Sequence, residues 1–210
     1  MSKKQTSIFQ LALTLTCIAL VAALLLSAVY MVTKEPIEKI KIEKNNAAKV
    51  AVLPGFNMET GTLDDVPILP DGLTDPLTVT LAYMDNELFG AAVATYTNMA
   101  FSGRFDIMVG FDKEGNILNT AVLGHQETPG LGDKIDKKKS AFPVQFAGKN
   151  PNTNKIFVKK DGGEIDAITA ATISSRAFCN AVNNAYLAFQ MALENYKTIN
   201  DNTEKEENHE

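Results

Sequence analysis

In "DAITAATISSRAF" (166–178), Thr169, Thr172, Ser174 and Ser175 crowd the junction between a short apolar run and a long helical pattern. Hydroxyls placed there suit three kinds of chemistry. A serine or threonine caps a helix by accepting from its unpaired N–H groups, and Ser174 or Ser175 is positioned to cap the helix that follows. The same free N–H groups, with the partial positive charge of a helix start, favour a phosphate. Thr172, just ahead of the helix, is placed to hold one by hydrogen bonds or as a covalent ester. The third use, as a nucleophile, needs an activating base. His125 and His209 are the only histidines, and His209 lies in the terminal tail, so this use has the least support.

A second stretch, "GHQETPGLGDKI" (124–135), has the make-up of a ligand-facing loop. Gly124, Gly130 and Gly132 permit turns and close backbone approach. Glu127 and Thr128 offer hydrogen bonds, and Leu131 an apolar contact. The pattern is neither a Walker loop nor a dinucleotide fingerprint, because its glycines do not open a helix. A plain surface loop with turn glycines remains the simpler account. Metal chemistry has no matching ligand pattern. Cys17 and Cys179 fall in a membrane-like segment and in the soluble part, so they do not suit one disulfide.

The elements that must hold these stretches follow from periodicity. Strands are expected at 78–84, 88–98, 104–111 and 116–124, separated by the turn signals "DN", "SG" and "KEGN". Residues 137–149 suit a short helix and a turn, and "KIFVKK" a further strand ended by Asp161-Gly162-Gly163. From Ser175 the period changes: Phe178, Val182, Ala185, Tyr186, Phe189, Leu193 and Tyr196 mark one face of an amphipathic helix. The soluble part is therefore expected to be α+β, an antiparallel sheet with helices before and after it.

The two ends differ from this middle. Residues 5–33 carry no charge, and a helix of about 20 apolar residues crosses a bilayer core of roughly 30 Å. The run exceeds the ~7–15 residues of a signal-peptide core and lacks a small-x-small cleavage site, which favours an uncleaved anchor. Lys3 and Lys4 precede it while Lys34, Lys39, Lys41 and Lys44 follow, so charge alone leaves orientation open. Residues 1–33 then form an N-terminus and span, and 34–75 a juxtamembrane helix and proline-rich linker. Residues 76–198 form the domain, and 199–210 a disordered acidic tail. A net charge of −5 without a basic stripe argues against nucleic acid as a partner.

Taken together, "DAITAATISS", "FSGRFDIMVGFDKEGNI" and "GHQETPGLGDKI" resemble three segments of covalently flavinylated FMN-binding domains. The resemblance covers roughly residues 5 to 197. It is nearest to the G subunits of Rnf-type ion-translocating ferredoxin:NAD⁺ oxidoreductases, with the C subunits of sodium-translocating NADH:quinone oxidoreductases as relatives. It implies that a flavin transferase, with FAD as donor, esterifies FMN to Thr172. Asp166, Thr169 and Ala171 match the rest of the motif, and Ala170 stands where the family usually has glycine. It further implies that Glu127, Thr128, Gly130, Leu131 and Gly132 line the flavin, with Ser174 near the phosphate. Electron relay among other membrane subunits is implied too, with a single span in the cytoplasmic membrane and the domain on the extracytoplasmic side. A membrane-anchored binding or scaffold module without a redox cofactor is the alternative.

Overall fold

The computed structural model describes residues 8–57, 59–85 and 87–207; Lys3, Lys4 and the tail residues 208–210 lie outside them. The chain divides into two units, one up to Lys44 and one from Asn45 onward. Helix α1 (Ile8–Val52) is a single 45-residue helix that continues through Pro36. Its residues from Ile8 to Val32 are exposed, and among the described residues it is the one helix long and apolar enough to cross a membrane. The helical stretch expected after residue 34 is the second part of α1, where residues 37–52 are rich in strong helix formers such as Glu, Lys and Ala.

The second unit is built on an antiparallel meander. Its strands are β1 (Thr62–Ile68), β2 (Leu77–Met84), β3 (Glu87–Thr97), β4 (Phe105–Asp112) and β5 (Ile117–Gly124), in spatial order β1-β2-β3-β4-β5. Alternation along each strand sends one set of side chains to each face. On one face Val79, Leu81, Ala91, Val93, Ile107, Val109 and Phe111 are buried under helix α2 (Thr172–Glu207) and two short 3-10 turns, Gly132–Ile135 and Phe142–Phe146. On the other, Ala82, Ala92 and Met108 pack against Ala48, Val52, Leu53 and Phe56 at and just after the end of α1. The α+β arrangement, with helices before and after an antiparallel sheet, matches the expectation.

Helix α2 buries the face its period marks. Phe178, Val182, Ala185 and Phe189 are in the core, and Tyr186, Leu193 and Tyr196 pack against it. Phe189 stacks on Phe111 with ring centroids 5.0 Å apart. Phe142 and Phe146, from the 3-10 turn Phe142–Phe146, close on Phe178 at 5.4 and 5.0 Å. This packing fixes where the first turn of α2 lies relative to the loops around it.

Three segments differ from expectation. The unforeseen strand is β1, whose sequence "TLDDVPI" carries two aspartates and a proline. It pairs only with β2, and an edge strand tolerates such residues. The segment "KIFVKK", expected as a strand, joins no sheet strand. Gly162, at φ 81, turns the chain back so that Val158 bridges Ile165 and Ile165 N–H donates to the Phe157 carbonyl at 3.0 Å. The backbone of α2 also reaches Glu207, into the segment expected to be a disordered tail; extending a formed helix avoids the cost of nucleating one.

Candidate functional site

The site is assembled where the chain enters α2. Ala171 N–H donates to the Ile168 carbonyl at 3.0 Å, closing a tight turn, and Ala170 in that turn has φ 62. A positive φ at the third position is the pattern of turns that favour glycine. Fully buried Ser175 locks the turn to the helix. Its Oγ accepts from Ile168 N–H at 2.9 Å and donates to the Ala171 carbonyl at 3.0 Å.

Ala171 also accepts from Ser175 N–H at 3.0 Å, which makes Ala171 the N-cap, a residue with no side-chain acceptor. This corrects the expected capping by Ser174 or Ser175, which lie inside the first turn with their hydroxyls committed elsewhere. Among the described residues, the N–H groups of Thr172, Ile173 and Ser174 have no partner, and neither has Thr172 Oγ1. No acidic residue stands in the first turn. The helix start thus keeps its unpaired donors and positive end.

These groups open on a cavity of about 320 Å³. Ala170, Ala171, Thr172, Ile173 and Ser174 line one side, Thr128, Leu131 and Gly132 a second, and Phe101 a third. Phe101, Ile173 and Leu131 are 68%, 47% and 42% exposed, so three large apolar side chains face the opening without burial. Such exposure on a rigid scaffold suits a ligand with an apolar surface.

Glu127 is placed differently from its neighbours. It is buried behind the cavity, where it accepts from Ser102 N–H at 3.0 Å and from the Ser174 hydroxyl. His125 Nδ1 accepts from Glu127 N–H at 3.1 Å, so that nitrogen closes a turn and is not free to act as a base. Gly130, at φ 79, shapes the loop without lining the cavity.

Asp166 and Thr169 face a second space of about 470 Å³ on the other side of the turn, bordered also by Lys134, Ser140 and Gln145. Gln145 grips the Asp166 backbone, accepting from its N–H at 2.8 Å and donating to its carbonyl at 3.1 Å. The Asp166 carboxylate pairs with Lys159 at 2.8 Å. Of the residues that the sequence pattern marks, the structure gathers Thr128, Leu131, Gly132, Ala170, Ala171, Thr172 and Ser174 around one cavity. It sets Asp166 and Thr169 around the other.

The sequence pattern does not mark Phe101 or Ile173 as site residues. Phe101 belongs to "FSGRF", and an aromatic residue in a glycine-containing turn is the available signal. Ile173 falls off the buried face of α2, a visible anomaly for a large apolar residue. Nearby, Arg176 grips Asp161 through two bonds of 2.7 Å; that hydrogen bonding holds the Asp161 carboxyl below its usual range. Burial pushes the Cys179 thiol up to about 12.

Comparison with known proteins gives this geometry a context. Residues 100–187, which hold both β4 and the start of α2, match the family model described as an FMN-binding domain. The chain is 34% identical over 184 residues to the G subunit of the ion-translocating oxidoreductase complex of Yersinia pestis, covering 85% of this chain and 88% of that relative. The corresponding G subunit of Salmonella typhi is 36% identical over 183 residues, 83% of this chain and 87% of the relative. That of Shewanella piezotolerans is 40% identical over 131 residues, 61% of each chain. With more than four fifths of the chain aligned to the first two of these relatives, the chain belongs to the family of G subunits of ion-translocating oxidoreductase complexes.

Proposed function

We propose that this protein is the electron-carrying subunit of an Rnf-type, membrane-bound ion-translocating ferredoxin:NAD⁺ oxidoreductase, with FMN esterified through its phosphate to Thr172. The observation that carries the reading is the uncapped start of α2. There a free hydroxyl and three unpaired N–H groups open on a cavity walled by exposed apolar side chains. A phosphate ester at Thr172 Oγ1 meets the donors and dipole that a helix N-terminus offers an anion. Small residues at 132, 170 and 171 leave room beside it. Phe101, Leu131 and Ile173 give a flat apolar ring a seat, and aromatic contact adds to area burial.

When bound, the flavin supplies the redox chemistry. The protein's share is to tether, orient and partly shield it. A flavin transferase with FAD as donor makes the ester, and neighbouring membrane subunits pass and receive the electrons. Helix α1 anchors the chain in the cytoplasmic membrane as a single span, with the second unit on the extracytoplasmic side.

The test is the intact mass of the full chain made together with its transferase, for wild type and Thr172→Ala. The wild type is expected to carry an FMN-sized adduct and the variant none. A bare wild type, or a variant that keeps the adduct, overturns the attachment.

A further inference from the structure

We infer that Glu127 is a positioning residue: its one buried carboxylate fixes all three apolar walls of the cavity against the start of α2. The inference rests on the flavin reading of that cavity. Glu127 is 5% exposed and does not itself line the space. Each of the three apolar lining residues is followed directly by a residue that meets this carboxylate. Phe101 precedes Ser102, whose N–H donates to Oε1 at 3.0 Å. Ile173 precedes Ser174, whose hydroxyl donates to Oε2. Leu131 precedes Gly132, where an added Cβ would collide with Oε2 and come within 2.8 Å of Ser174 Oγ.

Two segments distant in sequence, the β3–β4 loop and the first turn of α2, are therefore hydrogen-bonded to one carboxylate of a third, the loop after β5, in which Gly132 closes against the same group. Charge-assisted hydrogen bonds are the short, strong kind. In a buried setting they lock the groups they join, and removing the carboxylate leaves partners unsatisfied. Gly132 is required for the same reason, since any side chain would displace the carboxylate. The His125 contact sets the Glu127 backbone at the loop entrance. Through these links Glu127 sets the spacing of the walls that would contact a flavin ring without touching the ring.

The experiment compares the full chain, made with its transferase, as wild type, Glu127→Ala, Glu127→Gln and Ser174→Ala. Intact mass reports the adduct; visible absorption, flavin fluorescence and reduction potential report the ring, all well below the melting temperature. Glu127→Ala is expected to keep the adduct while its ring signals and potential shift toward those of free FMN. Glu127→Gln should restore most of the wild-type signal, because the amide still accepts from Ser102 N–H and pairs with Ser174 Oγ. Ser174→Ala should shift the signals the same way by less, and it decides the matter if Glu127→Ala fails to fold. Adduct-bearing Ala variants with wild-type spectra and potential overturn the role of Glu127 alone, since a purely stabilising residue would move only the melting temperature. A wild type without adduct overturns the flavin reading and this inference together.

Discussion

Ala170 holds a conformation its side chain disfavours. At φ 62 it sits in the left-handed region, which costs a residue with a Cβ roughly 1–2 kcal/mol. The related domains that the sequence resembles usually carry glycine there, and the turn supplies the physical reason. Glycine removes that strain but adds about 0.5–1 kcal/mol of entropy loss on folding. Ala170→Gly is therefore expected to stabilise the domain by up to about 1 kcal/mol, read as a higher denaturant midpoint with an unchanged m-value. A lowered midpoint would show that the turn is not strained. The sequence displays the odd letter, while the backbone angle that explains it needs coordinates. The cap shows a similar limit. Ser174 and Ser175 are good capping types, yet the turn at 168–171 starts the helix at Thr172 and leaves Ala171, which cannot cap, in the N-cap position. Local preference yields to the geometry of the turn, and the donors left unpaired are those a phosphate would use.

At the scale of elements, strands β2 to β5 are legible because the turn signals "DN", "SG" and "KEGN" separate their largely apolar runs. Strand β1 is not, since Asp64, Asp65 and Pro67 mask its pattern. Its place is held by an ion pair as well as by the packing of Leu63, Val66 and Ile68. Asp65 accepts from Lys49 Nζ at 2.9 Å and from the Thr80 hydroxyl, joining β1 to the end of α1 and to β2. Burial pushes the Asp65 carboxyl up, but the Thr80 and Lys49 hydrogen bonds and the Lys49 charge outweigh it, and the carboxyl titrates below its usual value. A carboxyl depressed in the folded state adds stability above its unfolded pKa of about 3.9. That stability is lost as pH falls through the folded value. The Asp65 side chain is 54% exposed, so the contribution is at most about 1 kcal/mol. Asp65→Asn should therefore speed amide exchange in β1 more than in β3 at neutral pH, and the difference from wild type should shrink in acid. Equal protection of β1 in both proteins at neutral pH would show that strand pairing alone holds this edge. The "KIFVKK" segment marks the opposite error. A three-residue apolar run is too short to distinguish a strand from a folded-back loop, and Gly162 and Gly163 decide for the loop.

For the molecule as a whole, the side of the membrane on which the second unit lies is open to a chemical test. Neither native cysteine should report on it. Cys17 lies in the apolar part of α1, where a bilayer would shield it from a charged reagent. Cys179 is buried with its thiol pushed up to about 12, so almost none is the reactive thiolate at neutral pH. The wild type is thus expected to give a blank with a membrane-impermeant maleimide. Asn152 is exposed in a turn after the Phe142–Phe146 segment, and its side chain accepts no hydrogen bond from the described residues. Asn152→Cys introduces one accessible thiol without disturbing the cavity. If the flavin-bearing unit faces away from the cytoplasm, intact spheroplasts should label this variant as fully as lysed ones. Labelling that appears only after lysis would place the unit in the cytoplasm. The electron path would then have to run through that side of the complex, while the attachment at Thr172 would stand on its own test.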